Sequence, residues 1–411
     1  MMGNTARTVA IIGTLDTKGE EFAFLKAEIA KRGCQTLVIN VGVLGEPTFA
    51  PDISAEEVAQ AGGVALPELV AARDRGEAMR VMNVGAAAVL KRLYQAGRFD
   101  GVISMGGGGG TGIAAAAMRA LPIGVPKLIV STVASGDVSQ YVGTSDITLM
   151  PAVVDVSGLN RISRTIFSNA AGAICGMVTG EATPAADAKP LIAASMFGNT
   201  TRAVDHARHL LEAAGYEVLV FHATGTGGRS MENLIESGYF VGVLDMTTTE
   251  WADELCGGVL SAGPTRLEAA AKHGIPQVVV PGCIDMCNFW APETIPAHYK
   301  DRLFYRWNPN VTLMRTTPDE NTRLGQIFAE KLNAAKGPVT VFIPLGGFSE
   351  VDFPDKPFWW PEADQAFVES LRKHLRPDIP VEISENDINH PEFSGQVARQ
   401  LLEIIAKHER K

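Results

Sequence analysis

The run Ser104 to Gly112, SMGGGGGTG, carries five consecutive glycines, Gly106, Gly107, Gly108, Gly109 and Gly110, followed by Thr111. Glycine loses more conformational freedom on folding than any other residue, so such a run needs a reason. An apolar β-type stretch precedes it and the helix-forming Ile113-Ala-Ala-Ala-Ala-Met118 follows. Strand, glycines and helix form a setting where backbone N–H groups and the positive helix end converge on an anion. The competing explanation is a strand-to-helix turn packed too tightly for side chains. No lysine follows the glycines, so the P-loop pattern fails. Gly107-x-Gly109-x-x-Gly112 matches a dinucleotide fingerprint, but hydroxyls (Ser131, Thr132) stand where its acidic residue belongs,. What remains is a phosphate cradle of backbone amides.

A second loop of the same type is Gly13-Thr14-Leu15-Asp16-Thr17-Lys18-Gly19, at the end of the first apolar run. Ligands of open α/β sheets sit outside the carboxyl ends of the strands, so both loops face one crevice. Here Asp16 holds a magnesium ion, directly or through water, or else Asp16 or Thr17 merely caps the helix. Lys18 supplies a cation, and Thr14 and Thr17 supply hydroxyls. A third loop at that edge contains Ser135, Gly136 and Asp137. Arg161 and Arg164, three apart on one helix face, pair either with phosphate or with carboxylates,.

The second half repeats the theme. Gly225, Thr226, Gly227 and Gly228 follow one strand; Thr248 and Glu250 follow the next; Asp285 and then Gly346 and Gly347 follow later ones. These are candidate substrate residues, suited to an oxyanion or polyol. Cys283 and Cys287 have no matching ligand pair nearby for zinc and are read as structural thiols. His222 and His273 are read as scaffold.

The elements that must carry these loops are legible in the hydropathy. Short β-branched runs alternate with amphipathic stretches: strands over residues 8–12, 35–41, 102–105 and 128–131, helices over 18–31, 77–95 and 160–178,. The pattern restarts at Pro190, with strands over 191–196, 217–221, 241–244, 277–280, 339–343 and 381–383 and helices over 202–213 and 391–408. This predicts two doubly wound, Rossmann-like α/β lobes with mainly parallel sheets, 1–180 and 190–411, joined by a linker over 181–189. Residues 281–318 read as mostly loop.

Composition bounds the partners. At 411 residues the chain is too long for one ordinary core,. A net charge of −10 disfavours a nucleic-acid duplex or an anionic membrane,. No apolar run is long enough to span a bilayer, and the N-terminus lacks a signal-peptide pattern. Five cysteines without a paired framework predict free thiols and a cytoplasmic location,.

As a set, GTLDTKGEEFAFL, SMGGGGGTG, HATGTGGRSMENLI, GVLDMTTTEWADELCGGVLSAGPTRL, PGCIDMCNF and PLGGFSEVD resemble the Tm-one-like ATP-binding domain family. The resemblance spans essentially the whole chain. It implies a two-lobed α/β homodimer that binds ATP. It also implies that a barrel resembling phosphoenolpyruvate-utilising enzymes, present in the family's plant member, is absent here or supplied by a separate protein. The resulting expectation is an ATP- and Mg²⁺-binding protein, acting on a small metabolite between the lobes or serving as a regulatory module. A nucleotide-independent enzyme of small acids or sugar phosphates is the alternative.

Overall fold

In the first strand, Thr8–Gly13, successive side chains enter different cores. Val9 and Ile11 pack on one face of the sheet and Ala10 and Ile12 on the other. That is why the run is apolar throughout instead of alternating: both faces of a parallel sheet are covered by helices. The computed structural model describes residues 6–180 and 188–410. The chain divides into two compact units, Met1–Pro184 and Ala185–Lys411. Most of the expected linker (181–189) lies outside the described residues.

Unit 1 runs β1 (Thr8–Gly13), α1 (Gly19–Lys31), β2 (Gln35–Asn40), α2 (Ala55–Ala61), α3 (Leu66–Ala72), α4 (Arg75–Gln95), β3 (Gly101–Gly106), α5 (Gly108–Arg119), β4 (Lys127–Ser131), α6 (Ser139–Val142), β5 (Thr148–Pro151) and α7 (Arg161–Thr179). Its five strands are all parallel, in the order β2-β1-β3-β4-β5. The chain steps outward to β2 and returns past β1 to β3, so β1 and β3 flank the topological switch point. Their register, Ile12 opposite Ser104, brings Gly13 and the glycine run out of the sheet side by side. Helices α1 and α7 cover one face, anchored by fully buried Phe22, Leu25, Ile29, Phe167 and Ile174; α4 and α5 cover the other. Burying each large side chain contributes about 1.5–3 kcal/mol.

Unit 2 contains β6 (Leu191–Met196), α8 (Thr201–Ala213), β7 (Glu217–His222), α9 (Thr226–Glu236), β8 (Phe240–Thr247), α10 (Glu250–Cys256), α11 (Ala269–His273), β9 (Gln277–Gly282), β10 (Met286–Phe289), β11 (Phe304–Asn308), β12 (Val311–Arg315), α12 (Pro318–Asn333), β13 (Val339–Pro344), α13 (Pro361–His374), β14 (Val381–Ser384) and α14 (Pro391–Glu409). Six of these strands form a second parallel sheet, β14-β13-β9-β8-β6-β7. The stretch expected to be loop, 281–318, instead holds a three-stranded antiparallel sheet, β10-β12-β11. Its strands are four or five residues long and interrupted by prolines and short 3₁₀ turns, which hid their alternation. All five cysteines are free and buried. Among the described residues no helix is long and apolar enough to cross a membrane.

Candidate functional site

Gly106 closes β3, Gly107 is extended at the N-cap of α5, and Gly108, Gly109 and Gly110 form the first turn of that helix. No side chain caps it. The first backbone bond of the helix is Thr111 N–H to the Gly107 carbonyl, at 2.9 Å. Among the described residues, no hydrogen bond is donated by the N–H groups of Gly107, Gly108, Gly109 or Gly110. A helix leaves its first N–H groups without internal partners, and here nothing among the described residues fills that role,. Thr111 itself is buried, its hydroxyl 2.7 Å from that of Ser131, so it ties α5 to β4.

The glycines are not required by the local fold. None of the five has a positive φ. A Cβ built on Gly107, Gly108, Gly109 or Gly110 would meet nothing closer than 3.6 Å, which is ordinary contact. Only Gly106, whose Cβ would lie 3.3 Å from Gly110 Cα, is tight. Overcrowding therefore does not explain the run. The space a side chain would take belongs to an open cavity of about 650 Å³.

That cavity is lined by Gly107 to Gly110, by Thr14, Asp16, Thr17 and Lys18 from the first loop, and by residues sequence reasoning did not single out. Val41, Leu44, Leu69, Val70, Met79 and Met82 make an apolar wall, and Arg73, Asp74, Arg75 and Asp155 add charge. Leu44 is 82% and Val70 52% exposed, so the rim presents apolar surface to solvent. The α4 residues Arg75, Ala78, Met79 and Met82 stand at i, i+3, i+4 and i+7, one helical face,. That spacing was the available signal for this wall.

The first loop is held by its own contacts. Asn40 Oδ1 accepts from Leu15 N–H and Gly42 N–H, and Thr17 Oγ donates to Thr14 Oγ. Asp16 Oδ2 accepts from Leu44 N–H at 2.7 Å, which fixes the 42–44 segment over it. Its Oδ1 is buried and has no partner. Neither Asp16 nor Thr17 caps α1, whose N-cap is Lys18 and carries no side-chain bond. The Lys18 ammonium donates to the Val156 carbonyl. Ser135, Gly136 and Asp137 are exposed and outside the cavity lining. There the Asp137 carboxylate accepts from Ser139, which lowers its pKa. Arg164 lies over the Phe24 ring rather than in an ion pair with a carboxylate, and Arg161 is exposed.

Unit 2 treats its glycines differently. Gly225 N–H and Gly228 N–H both donate to Glu250 Oε1, at 2.7 and 3.1 Å. The donors at the start of α9 thus face a carboxylate from the protein itself. Gly225 has φ +80°, a Cβ on Gly227 would lie 1.9 Å from the His222 carbonyl oxygen, and one on Gly228 would lie 2.1 Å from Glu250 Oε2. Gly346 and Gly347 are equally constrained, by the 385–387 backbone and by the Asp352 carbonyl. Thr226 is exposed and accepts from Arg229, whereas Thr248 is buried and donates to the Val280 carbonyl. Packing within the unit accounts for these residues.

Glu250 is locked in turn by Arg266 Nε at 2.7 Å, and Arg266 also forks onto Asp245 at 2.5 and 2.6 Å and reaches Glu232 at 3.2 Å. Burial opposes charge on Arg266, but the three carboxylates outweigh it and raise its pKa well above the usual value. Asp285 is fully buried, and burial with the neighbouring Asp352 charge pushes its pKa to about 7. Its Oδ2 accepts from Ser349 at 2.7 Å and its Oδ1 is unpartnered. Among the described residues no group of three His, Cys, Asp or Glu is arranged to hold a metal.

Fold and site together define a tandem of doubly wound α/β units, the first with an open cavity at its switch point. The chain belongs to the uncharacterised protein family UPF0261: residues 7–183 match the family's N-terminal domain and 189–405 its C-terminal domain. A UPF0261 protein of Clostridium tetani is 53% identical over 98% of this chain and all of its own length. The tomato (Solanum lycopersicum) ToMV susceptible protein tm-1(GCR26) is 41% identical over 81% of this chain, which corresponds to 45% of the tomato protein. A Tm-1-like relationship follows. Among solved structures, a UDP-N-acetylglucosamine 2-epimerase from Rickettsia bellii aligns over 98% of this chain and 97% of its own, at 11% identity and a TM-score of 0.24.

Proposed function

We propose that unit 1 binds ATP, with the phosphates on the free amides of Gly107 to Gly110 and the base along the apolar wall. The observation that carries this reading is the pairing of undonated amides with glycines that neither φ nor crowding requires. The cavity volume lies within the roughly 300–1,000 Å³ typical of small-molecule sites. The positive end of α5 favours an anion there, worth about 0.3–1 kcal/mol even at an exposed terminus. The resemblance to the Tm-one-like family points to the same ligand.

Magnesium belongs to this proposal as a companion of the phosphates. Asp16 Oδ1, on a carboxylate lining the cavity, is not taken up by the loop, and it would hold the ion directly or through water,. The proposal is one of binding; a regulatory module and an ATP-dependent enzyme share this step.

Calorimetric titration with ATP, with and without magnesium, is the test. Gly108→Val places a branched side chain where the cavity now begins and is expected to abolish binding while circular dichroism stays unchanged. Wild-type affinity in that variant would remove the glycine turn as the cradle.

A further inference from the structure

The cradle has no lysine after its glycines, and Lys18 is engaged with the Val156 carbonyl, so the negative charge of a polyphosphate needs another partner. We propose that Arg75 is that partner: a guanidinium clamp that closes on the ligand's phosphates from the start of α4. The inference rests on the nucleotide reading and names the residue that sets its phosphate dependence.

Three observations place the clamp. Arg75 Nη2 lies 3.9 Å from the position of a Cβ on Gly109, next to the undonated amides. Among the described residues Arg75 enters no ion pair or side-chain hydrogen bond, although it is a forked donor built for bidentate contact with phosphate,. The carboxylates closest to it in sequence are engaged elsewhere. Glu77 holds Arg80 through two bonds of 2.6 and 2.8 Å, and Asp74 Oδ1 accepts from Glu77 N–H as the cap of α4. An arginine left unpaired beside free amides completes an anion site.

The surroundings give the clamp a direction. Tyr141 Oη lies 3.8 Å from the Cβ position of Gly108, which supplies a hydroxyl donor beside the turn. Met79 Sδ lies 3.9 Å from the Cβ position of Gly109, one helical turn beyond Arg75. The guanidinium and the apolar wall are therefore consecutive parts of one helix face. A ligand gripped at its phosphates by Arg75 extends its uncharged body over Met79 and Met82. Affinity then depends on the number of phosphates through Arg75 and on the body through the wall.

The experiment titrates ATP, ADP and AMP against the wild-type protein and the variants Arg75→Ala, Arg75→Lys and Arg80→Ala, with thermal unfolding as a fold check. Arg75 is exposed at the first position of its helix, so truncation leaves the core intact. ATP affinity is expected to fall at least about tenfold in Arg75→Ala, with a smaller loss for AMP and a shallower dependence on salt. Arg75→Lys recovers part of the loss, and Arg80→Ala, which removes an equal charge one turn away, changes nothing. A wild-type protein that binds none of the three nucleotides overturns the nucleotide reading itself. Wild-type binding that Arg75→Ala leaves unaltered overturns the clamp alone, as does an equal loss for ATP and AMP, which would mark Arg75 as merely structural.

Discussion

Two glycine-rich turns with similar composition have opposite physical roles, and the difference lies in what a single methyl group would meet. At Gly228 the methyl would collide with Glu250 Oε2 at 2.1 Å. The carboxylate that satisfies two amides and pairs with Arg266 would have to move. Gly228→Ala is expected to cost about 1–3 kcal/mol, seen as a fall of several degrees in the unfolding temperature. At Gly109 the same methyl meets only ordinary contacts. Its φ is not positive and it lies in a helical turn, so Gly109→Ala should raise stability by about 0.4–1 kcal/mol while weakening nucleotide binding,. Equal destabilisation of both variants in denaturant melts would contradict this account. Sequence placed both turns after strands and before helices, correctly. It could not show that Glu250, more than twenty positions away, fills one of them.

Among the elements, the strands inside the parallel sheets were the most legible, because double burial makes them short continuous apolar runs such as VAII or LIVS, whereas the partly exposed edge strand β5 was not read from the sequence. Strand ends shifted by one or two residues at Gly13, Gly106 and Gly282, and by three in β8, which runs on to Thr247. The small antiparallel sheet was not legible, since its strands are only four or five residues long and β11 is mostly exposed. The loop residues of the cavity were legible from their place after strands, whereas its α4 wall was not, because an amphipathic helix does not disclose which part of its stripe stays uncovered. One buried cluster in unit 2 connects several elements: Arg266 joins β8 through Asp245, α10 through Glu250 and α9 through Glu232. Arg266→Ala strands three buried carboxylates, and a loss of about 3–5 kcal/mol is expected in chemical denaturation. Replacing Arg266 by methionine together with neutral partners at the three acids should recover much of that loss. Failure of that repacked variant to exceed Arg266→Ala would mean that the cluster's charges, not its packing, hold unit 2 together.

Over the whole molecule, the buried acids give the two units different responses to pH. In unit 2, burial raises Asp253 and Asp285 to about 7. Glu232, Glu250, Asp352 and Asp364 are raised in the same direction, with burial the leading cause. A carboxyl with a folded-state pKa above its unfolded value keeps its proton after the unfolded chain has released it. The folded state then binds more protons, so stability falls as pH rises from about 4 through about 7, where Asp253 and Asp285 titrate,. In unit 1, Glu28 is lowered to about 2 by hydrogen bonds from Lys31, Arg32 and Ser168. Its contribution has the opposite sign: it is present above the ordinary carboxyl range and lost as pH falls toward 2. Calorimetry at pH 5 and pH 8 should therefore show the unit 2 transition moving to lower temperature at pH 8, by at least about 2–4 °C. Asp285→Asn removes one titrating group from a site that also contains Asp352 and Arg315, so its pH 5 to pH 8 decrement should be smaller than the wild type's. An unchanged decrement would show that Asp285 is ionised throughout, with Arg315 compensating its burial in full.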